Sequence, residues 1–187
     1  MVKKIVVLAL VFFMCAPVCF AAEVGGVDIP AKIKAGDTDL GFNGAGIRKK
    51  FGLKLYVGSL YLAQKSQDAD AVINADEPMA ITLHIISSLI TSKKMEDATR
   101  EGFENSTGGN IEPLSAQIEA FIDVFKAQIN DGDIFDFIYL PGTGVEIYKN
   151  TEKASVVEGL AFKKALFGIW LCDKPAQKSL KEDMLGL

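Results

Sequence analysis

Few side chains in this sequence could do chemistry, and the one whose setting asks for a partner is Arg48. It stands in "GFNGAGIRKKFGLKLYVGSLYLAQ", residues 41–64, behind three glycines and ahead of an apolar stretch that holds two tyrosines. A guanidinium is always charged and carries five donors in a rigid fork, which suits a carboxylate or a phosphate. At the end of an apolar strand it could hold an acid headgroup while the tail enters the core. The competing reading pairs it with one of the chain's many surface Asp or Glu residues. Tyr56 shares a strand face with Lys54 and is the better candidate to meet a polar ligand atom. Tyr61, on the other face, is expected to fill the core and satisfy its hydroxyl locally.

The remaining candidates offer less. His84 is the only histidine. Alone on a strand it reads as a hydrogen-bonded sheet residue, with general-base work as the alternative, since its unperturbed pKa lies near neutrality. No metal site is expected, because a structural zinc needs more ligands than this chain readily offers. No haem-attachment motif occurs, and no cofactor is expected. "GFNGAG" precedes a strand rather than a helix and lacks the lysine and hydroxyl of a phosphate loop, so it reads as turn chemistry. No nucleophile elbow, zinc signature or kinase motif occurs, and no acidic pair nominates a two-carboxylate mechanism.

The elements that must position Arg48 follow from periodicity. Residues 51–63 alternate as a strand, with Gly58 and Ser59 leaving little bulk halfway along. Val24, Val27 and Ile29 suggest a short strand before Pro30, and "DTDLGFNGAG" reads as a glycine-rich turn region. A short acidic helix is expected within residues 67–78, and a strand within "MAITLHIIS". A helix capped by Thr91 or Ser92 follows. The clearest helical period lies in "IEPLSAQIEAFIDVFKAQINDGD", from Leu114 to Ile129, with Pro113 in its first turn and Gly132 to stop it. Antiparallel strands are expected at 134–140, 145–149 and 154–157, then two helices, the last after Pro175. Strands at both ends with helices between and after them give an α+β class: a large, mostly antiparallel β-sheet with helices packed on one face.

Composition sets the outer bounds. The first residues, "MVKKIVVLALVFFMCAPVCFAAE", have a basic start, an apolar run and a small-residue end, the pattern of a secretory signal peptide spanning residues 1–21. Residues 22–187 then form one domain, too short for two comfortable cores. Removing Lys3 and Lys4 takes the net charge from −4 to about −6, and no basic block survives, so nucleic acid is a poor partner. After cleavage no stable membrane span is expected. A periplasmic or secreted location follows. Cys172 is the one cysteine beyond the leader, so no internal disulfide is expected. It is expected to lie buried beside Trp170.

Two motifs carry a resemblance. "NGAGIRKKFGLKLYVGSLYLA" resembles the opening motif of the chalcone isomerase-like family, whose plant members have a Gly-Ala-Gly-x-Arg turn before a strand ending in Tyr-Leu, matched by Tyr61-Leu62. "ALFGIWLCDKPAQKSLKEDMLG" looks like the closing phrase of that family's bacterial, exported branch. The likeness runs from about Val24 to Gly186. It implies a large antiparallel sheet, helices on one face and a cleft between them. Plant enzymes of the family close a flavanone ring in that cleft, and related members bind fatty acids without catalysis. In both, the arginine matching Arg48 receives the negative oxygen or carboxylate. The enzyme's other positions transfer badly: its strand threonine falls at Tyr56, its helical tyrosine and asparagine near Met95 and Gly102, and its late hydroxyl near Phe167. The resemblance therefore implies non-catalytic binding of a small amphipathic acid, fatty-acid-like, in an apolar cleft, with Arg48 and Tyr56 as ligand-binding residues. The alternatives are an intramolecular lyase or isomerase acting on a small phenolic substrate, and a cell-envelope interaction protein.

Overall fold

A computed structural model describes residues 20–187. The leader expected at 1–21 lies almost wholly outside the described residues. A hairpin of β1 (Phe20–Val24) and β2 (Val27–Pro30) comes first. Seven strands then form one antiparallel sheet: β3 (Lys32–Ala35), β4 (Thr38–Lys50), β5 (Leu53–Leu62), β6 (Met79–Ile85), β7 (Ile134–Leu140), β8 (Gly144–Lys149) and β9 (Glu152–Val157). Each strand pairs with its sequence neighbours, in the order β3-β4-β5-β6-β7-β8-β9. Among the described residues, five α-helices accompany the strands: α1 (Ala69–Asn74), α2 (Ser92–Ser106), α3 (Ser115–Ile122), α4 (Leu160–Leu171) and α5 (Lys178–Leu185).

Alternation on the strands divides the molecule into two apolar layers. Ile81, Leu83 and Ile85 of β6, with Phe135, Phe137 and Tyr139 of β7, face the helices and build the main core with Phe103, Phe121, Phe162 and Trp170. The opposite face carries a smaller cluster of Leu40, Val57, Tyr61 and Ala80, covered in part by Ile29 of the β1–β2 hairpin. Tyr61 donates its hydroxyl proton to the Pro30 carbonyl, 3.1 Å away. The expected α+β architecture, with helices packed against a large antiparallel sheet, is what the chain adopts.

The glycine-rich stretch departs from expectation. Residues 38–50 are strand, not turn. Gly44 and Gly46 lie where α5 presses on β4: a Cβ on Gly44 would sit 2.2 Å from the Asp183 carbonyl oxygen, and one on Gly46 would strike the Asp183 side chain. Neither glycine has a left-handed backbone, so close helix approach, rather than turning, is what requires them. Asn43, the extra residue of a β-bulge between Phe42 and Gly44, locks the helix in place. Its amide donates to the Met184 and Ser66 carbonyls at 2.9 Å, and its own oxygen accepts from the Ser66 N–H.

Phe51 begins no strand. With Gly52 it forms the two-residue tip of the β4–β5 hairpin, both with positive φ (52° and 79°), as the twist of paired strands favours. The left-handed conformation costs a side chain such as Phe about 1–2 kcal/mol, whereas Asn150, which opens the matching turn between β8 and β9, adopts it readily. The long helix expected over 111–133 is also interrupted. A 3-10 turn at Glu112–Leu114 precedes α3, and another at Asp123–Lys126 follows it. The chain then extends at Ala127. Partners from outside take its carbonyls: Ser92 Oγ donates to Ala127, and Lys149 Nζ to Gln128. This lets Ile129 drop into the core.

Candidate functional site

A cavity of about 450 Å³ opens between the β4–β6 end of the sheet and helices α2 and α4. Its walls are mostly apolar: Leu55, Leu83, Met95, Phe121, Phe125, Phe137 and Ile169 among them. Gly102 of α2 lines it too, and a side chain there would meet Ile169 at 2.7 Å, so helices α2 and α4 approach closely only because that position is bare.

Arg48 and Tyr56 come together at this cavity. They are directly paired across β4 and β5, which puts both on the helix-facing side of the sheet. A second bulge between Arg48 and Lys49 leaves Leu55 as the extra residue on β5. It breaks the alternation assumed from the sequence. Leu53, Leu55 and Tyr56 all line the cavity, and Lys54, expected to share the face of Tyr56, does not.

The polar groups here are held by three elements. Arg48 is half-buried, and its Nη1 donates to the Lys49 carbonyl at 2.8 Å and to Gln177 Oε1 at 3.2 Å. Gln177, the residue before α5, is fixed in turn: its oxygen also accepts from the Lys49 N–H at 2.8 Å, and its amide donates to the Ile47 carbonyl. No carboxylate stands within 4 Å of the guanidinium among the described residues. Tyr56 is buried, and its phenol oxygen accepts a hydrogen bond from Trp170 Nε1 at 3.0 Å. Burial pushes the phenol's pKa up, while Trp170 and the neighbouring Arg48 guanidinium pull the other way. The phenol is therefore neutral at physiological pH and keeps a proton to donate.

The other candidates lie elsewhere. His84 faces the opposite side of the sheet, near a row in which Ser59, Thr82, Asp136 and Tyr148 are paired in register across four strands. Thr82 donates to Asp136 Oδ1 at 2.7 Å. Burial lowers the His84 pKa, with the Asp136 carboxylate opposing. It does not line the cavity, so it has no access to a substrate held there. Cys172 is half-buried rather than buried, because it ends α4 where the chain turns outward, and its carbonyl accepts from Lys181 Nζ. Met95 and Gly102 do line the cavity, and Phe167 does not.

Sequence reading missed Gln177 and Trp170 as parts of the site. Glutamine is not a favoured helix cap, and nothing local ties residue 177 to residue 48. Tryptophan in an apolar helix signals core, not a donor aimed at a phenol.

Comparison with known proteins bears on the fold. Residues 21–186 match the profile of the family described as chalcone isomerase-like. The crystal structure of a fatty-acid binding protein of Arabidopsis thaliana superposes with a TM-score of 0.66 at 18% identity, over 86% of this chain and 92% of that one. No curated protein matches the sequence.

Proposed function

Since the chain belongs to the chalcone isomerase-like family, we propose that its cavity holds a small amphipathic anion, fatty-acid-like, without catalysis. The carrying observation is the half-buried Arg48, free of any carboxylate among the described residues, on the wall of a mostly apolar cavity beside the proton of Tyr56. Such a site has the usual make-up of a ligand pocket, apolar walls with a few convergent polar groups. Arg48 receives the carboxylate, Tyr56 donates to it, and the tail lies among Leu83, Phe125 and Phe137. The fatty-acid binding protein of similar fold supports this reading by analogy. The N-terminal sequence pattern supports a location outside the cytoplasm, in the periplasm or secreted, which we carry as part of the proposal.

The lyase or isomerase reading has less support. His84 lies on the wrong face, and the positions that match the plant enzymes' helical side chains are Met95 and Gly102, which offer no proton donor. One arginine and one phenol can hold an anion but supply no base, and of the two carboxylates that line the cavity, Asp97 and Glu101, the first is engaged by Lys93.

Two measurements test the proposal. Native mass spectrometry of the freshly purified protein is expected to show a copurified small acid. In titrations with a medium-chain fatty acid, Arg48→Met is expected to weaken binding about 10- to 100-fold, the worth of a charge-assisted hydrogen bond. The matching alcohol should bind wild type and variant alike. Equal loss for acid and alcohol would assign Arg48 to the cavity's shape rather than to the headgroup.

A further inference from the structure

We propose that the mouth of the cavity docks on an anionic lipid surface through the β4–β5 hairpin tip. The aromatic ring at that tip stands in the solvent: Phe51 is 93% exposed, the most exposed large apolar residue described. Leu53 beside it is 51% exposed, and Leu89, from the loop before α2, is 44% exposed. All three line the same cavity, so they form one apolar rim rather than scattered surface residues. The rim is also a place where the backbone opposes the residue it carries. Phe51 holds φ +52° in a turn position that Asn or Gly fills more comfortably, and the β8–β9 turn does use Asn there.

Charge selects the partner. The segment "RKKFGLK" carries Arg48, Lys49, Lys50 and Lys54 with no acid, in a chain whose net charge is −4. Lys50 and Lys94 stand on the rim itself. Of the two acids there, Asp97 is engaged by Lys93, which leaves Glu101. A protruding aromatic ringed by lysines matches the interface of an anionic membrane, where the ring enters the headgroup boundary and the amines meet lipid phosphates. Three apolar side chains on one rim are too small a surface for a stable protein interface. Seated this way, the cavity opens toward the lipid, which gives an amphipathic acid a route that avoids water. That use rests on the proposed ligand, but the docking itself does not.

The test uses the full chain with Phe51→Trp, which puts a reporter at the tip against the buried Trp170. Mixed with phosphatidylglycerol-containing vesicles at low salt, the new emission is expected to shift to the blue, and with pure phosphatidylcholine to stay. Lys49→Glu with Lys50→Glu should weaken the response at least about tenfold, since each cation near such a surface contributes about a factor of five. Lys54→Glu, which lies off the cavity wall, should lower vesicle association at least about fivefold while leaving acid binding in the cavity unchanged, which separates this inference from the ligand reading. An emission that ignores anionic vesicles overturns the docking. So does a shift that follows protein concentration without vesicles, which would make a second copy of the chain the occupant.

Discussion

Replacing Lys163 with methionine is expected to lower the stability of the fold by about 3 kcal/mol, read as a lower urea midpoint with unchanged slope. Lys163 is fully buried inside α4, an apolar helix. Its ammonium donates to the carbonyls of Val72 at 2.8 Å, Ile73 at 3.0 Å and Ala75 at 2.8 Å. These are among the carbonyls that the end of a helix leaves without a partner, here the end of α1. The same charge lies over the rings of Tyr139 and Phe167. Methionine fills the space but strands the acceptors. Burial pushes the Lys163 pKa down to about 8, with the nearby Asp76 opposing. Between pH 8 and 10.5 the unfolded chain therefore binds more protons at this residue than the folded one, and stability rises with pH across that window. The variant should lack that rise. An unchanged urea midpoint would mean that water reaches those carbonyls and Lys163 is dispensable.

Gly44→Ala is expected to loosen α5 from β4 at a cost of about 4 kcal/mol or more, whereas Gly41→Ala should stay within about 0.5 kcal/mol. The contrast is geometric. A methyl on Gly44 would meet the Asp183 and Met184 carbonyl oxygens at 2.2 and 2.7 Å, and these belong to a helix backbone that cannot swing aside as a side chain can. A methyl on Gly41 has its nearest neighbour at 3.8 Å. Lifting α5 exposes Leu180, Met184 and Leu185, each worth about 1.5–3 kcal/mol when buried. It also removes Gln177 from Arg48. Urea unfolding gives the stability change, and trypsin cleavage at Lys178 and Lys181 reports the loosening. Slow cleavage and wild-type stability in Gly44→Ala would show that the helix and strand can part at little cost.

These two residues mark where the sequence stopped being readable. Strand alternation at 81–85 and 134–140 set the faces of the sheet directly, because each face meets a single environment. Helices α2 and α4 were legible from their apolar spacing and, for α2, from the Thr91 cap, whose hydroxyl accepts from the Lys94 N–H. The glycines of "GFNGAG" were misread because a turn and a close helix approach select the same residue, and only the partner 140 residues later distinguishes them. The bulge at Leu55 has no sequence signal, yet it decides which side chains reach the cavity. Arg48 and Tyr56 could be nominated from residue type. Their meeting with Trp170 and Gln177 depends on tertiary packing, which periodicity does not encode. Lys163 was invisible for the same reason: a lysine in an apolar helix reads as a solvent-facing position until α1 arrives to consume its protons.

The order of the strands carries a consequence for how the molecule is made. The strands pair in chain order, β3 to β5 and β7 to β9 through tight turns and β5 to β7 through the segments that carry α1, α2 and α3, so β3 to β9 can assemble in sequence as the chain is synthesised. The junction of β4 with α5 is of another kind, joining Asn43 to Met184 across 141 positions. Its loop-closure entropy is met only once α5 has been made. A nascent polypeptide that stops short of α5 can thus own an ordered sheet while Arg48 still lacks Gln177, so the proposed anion site is assembled after the sheet that frames it.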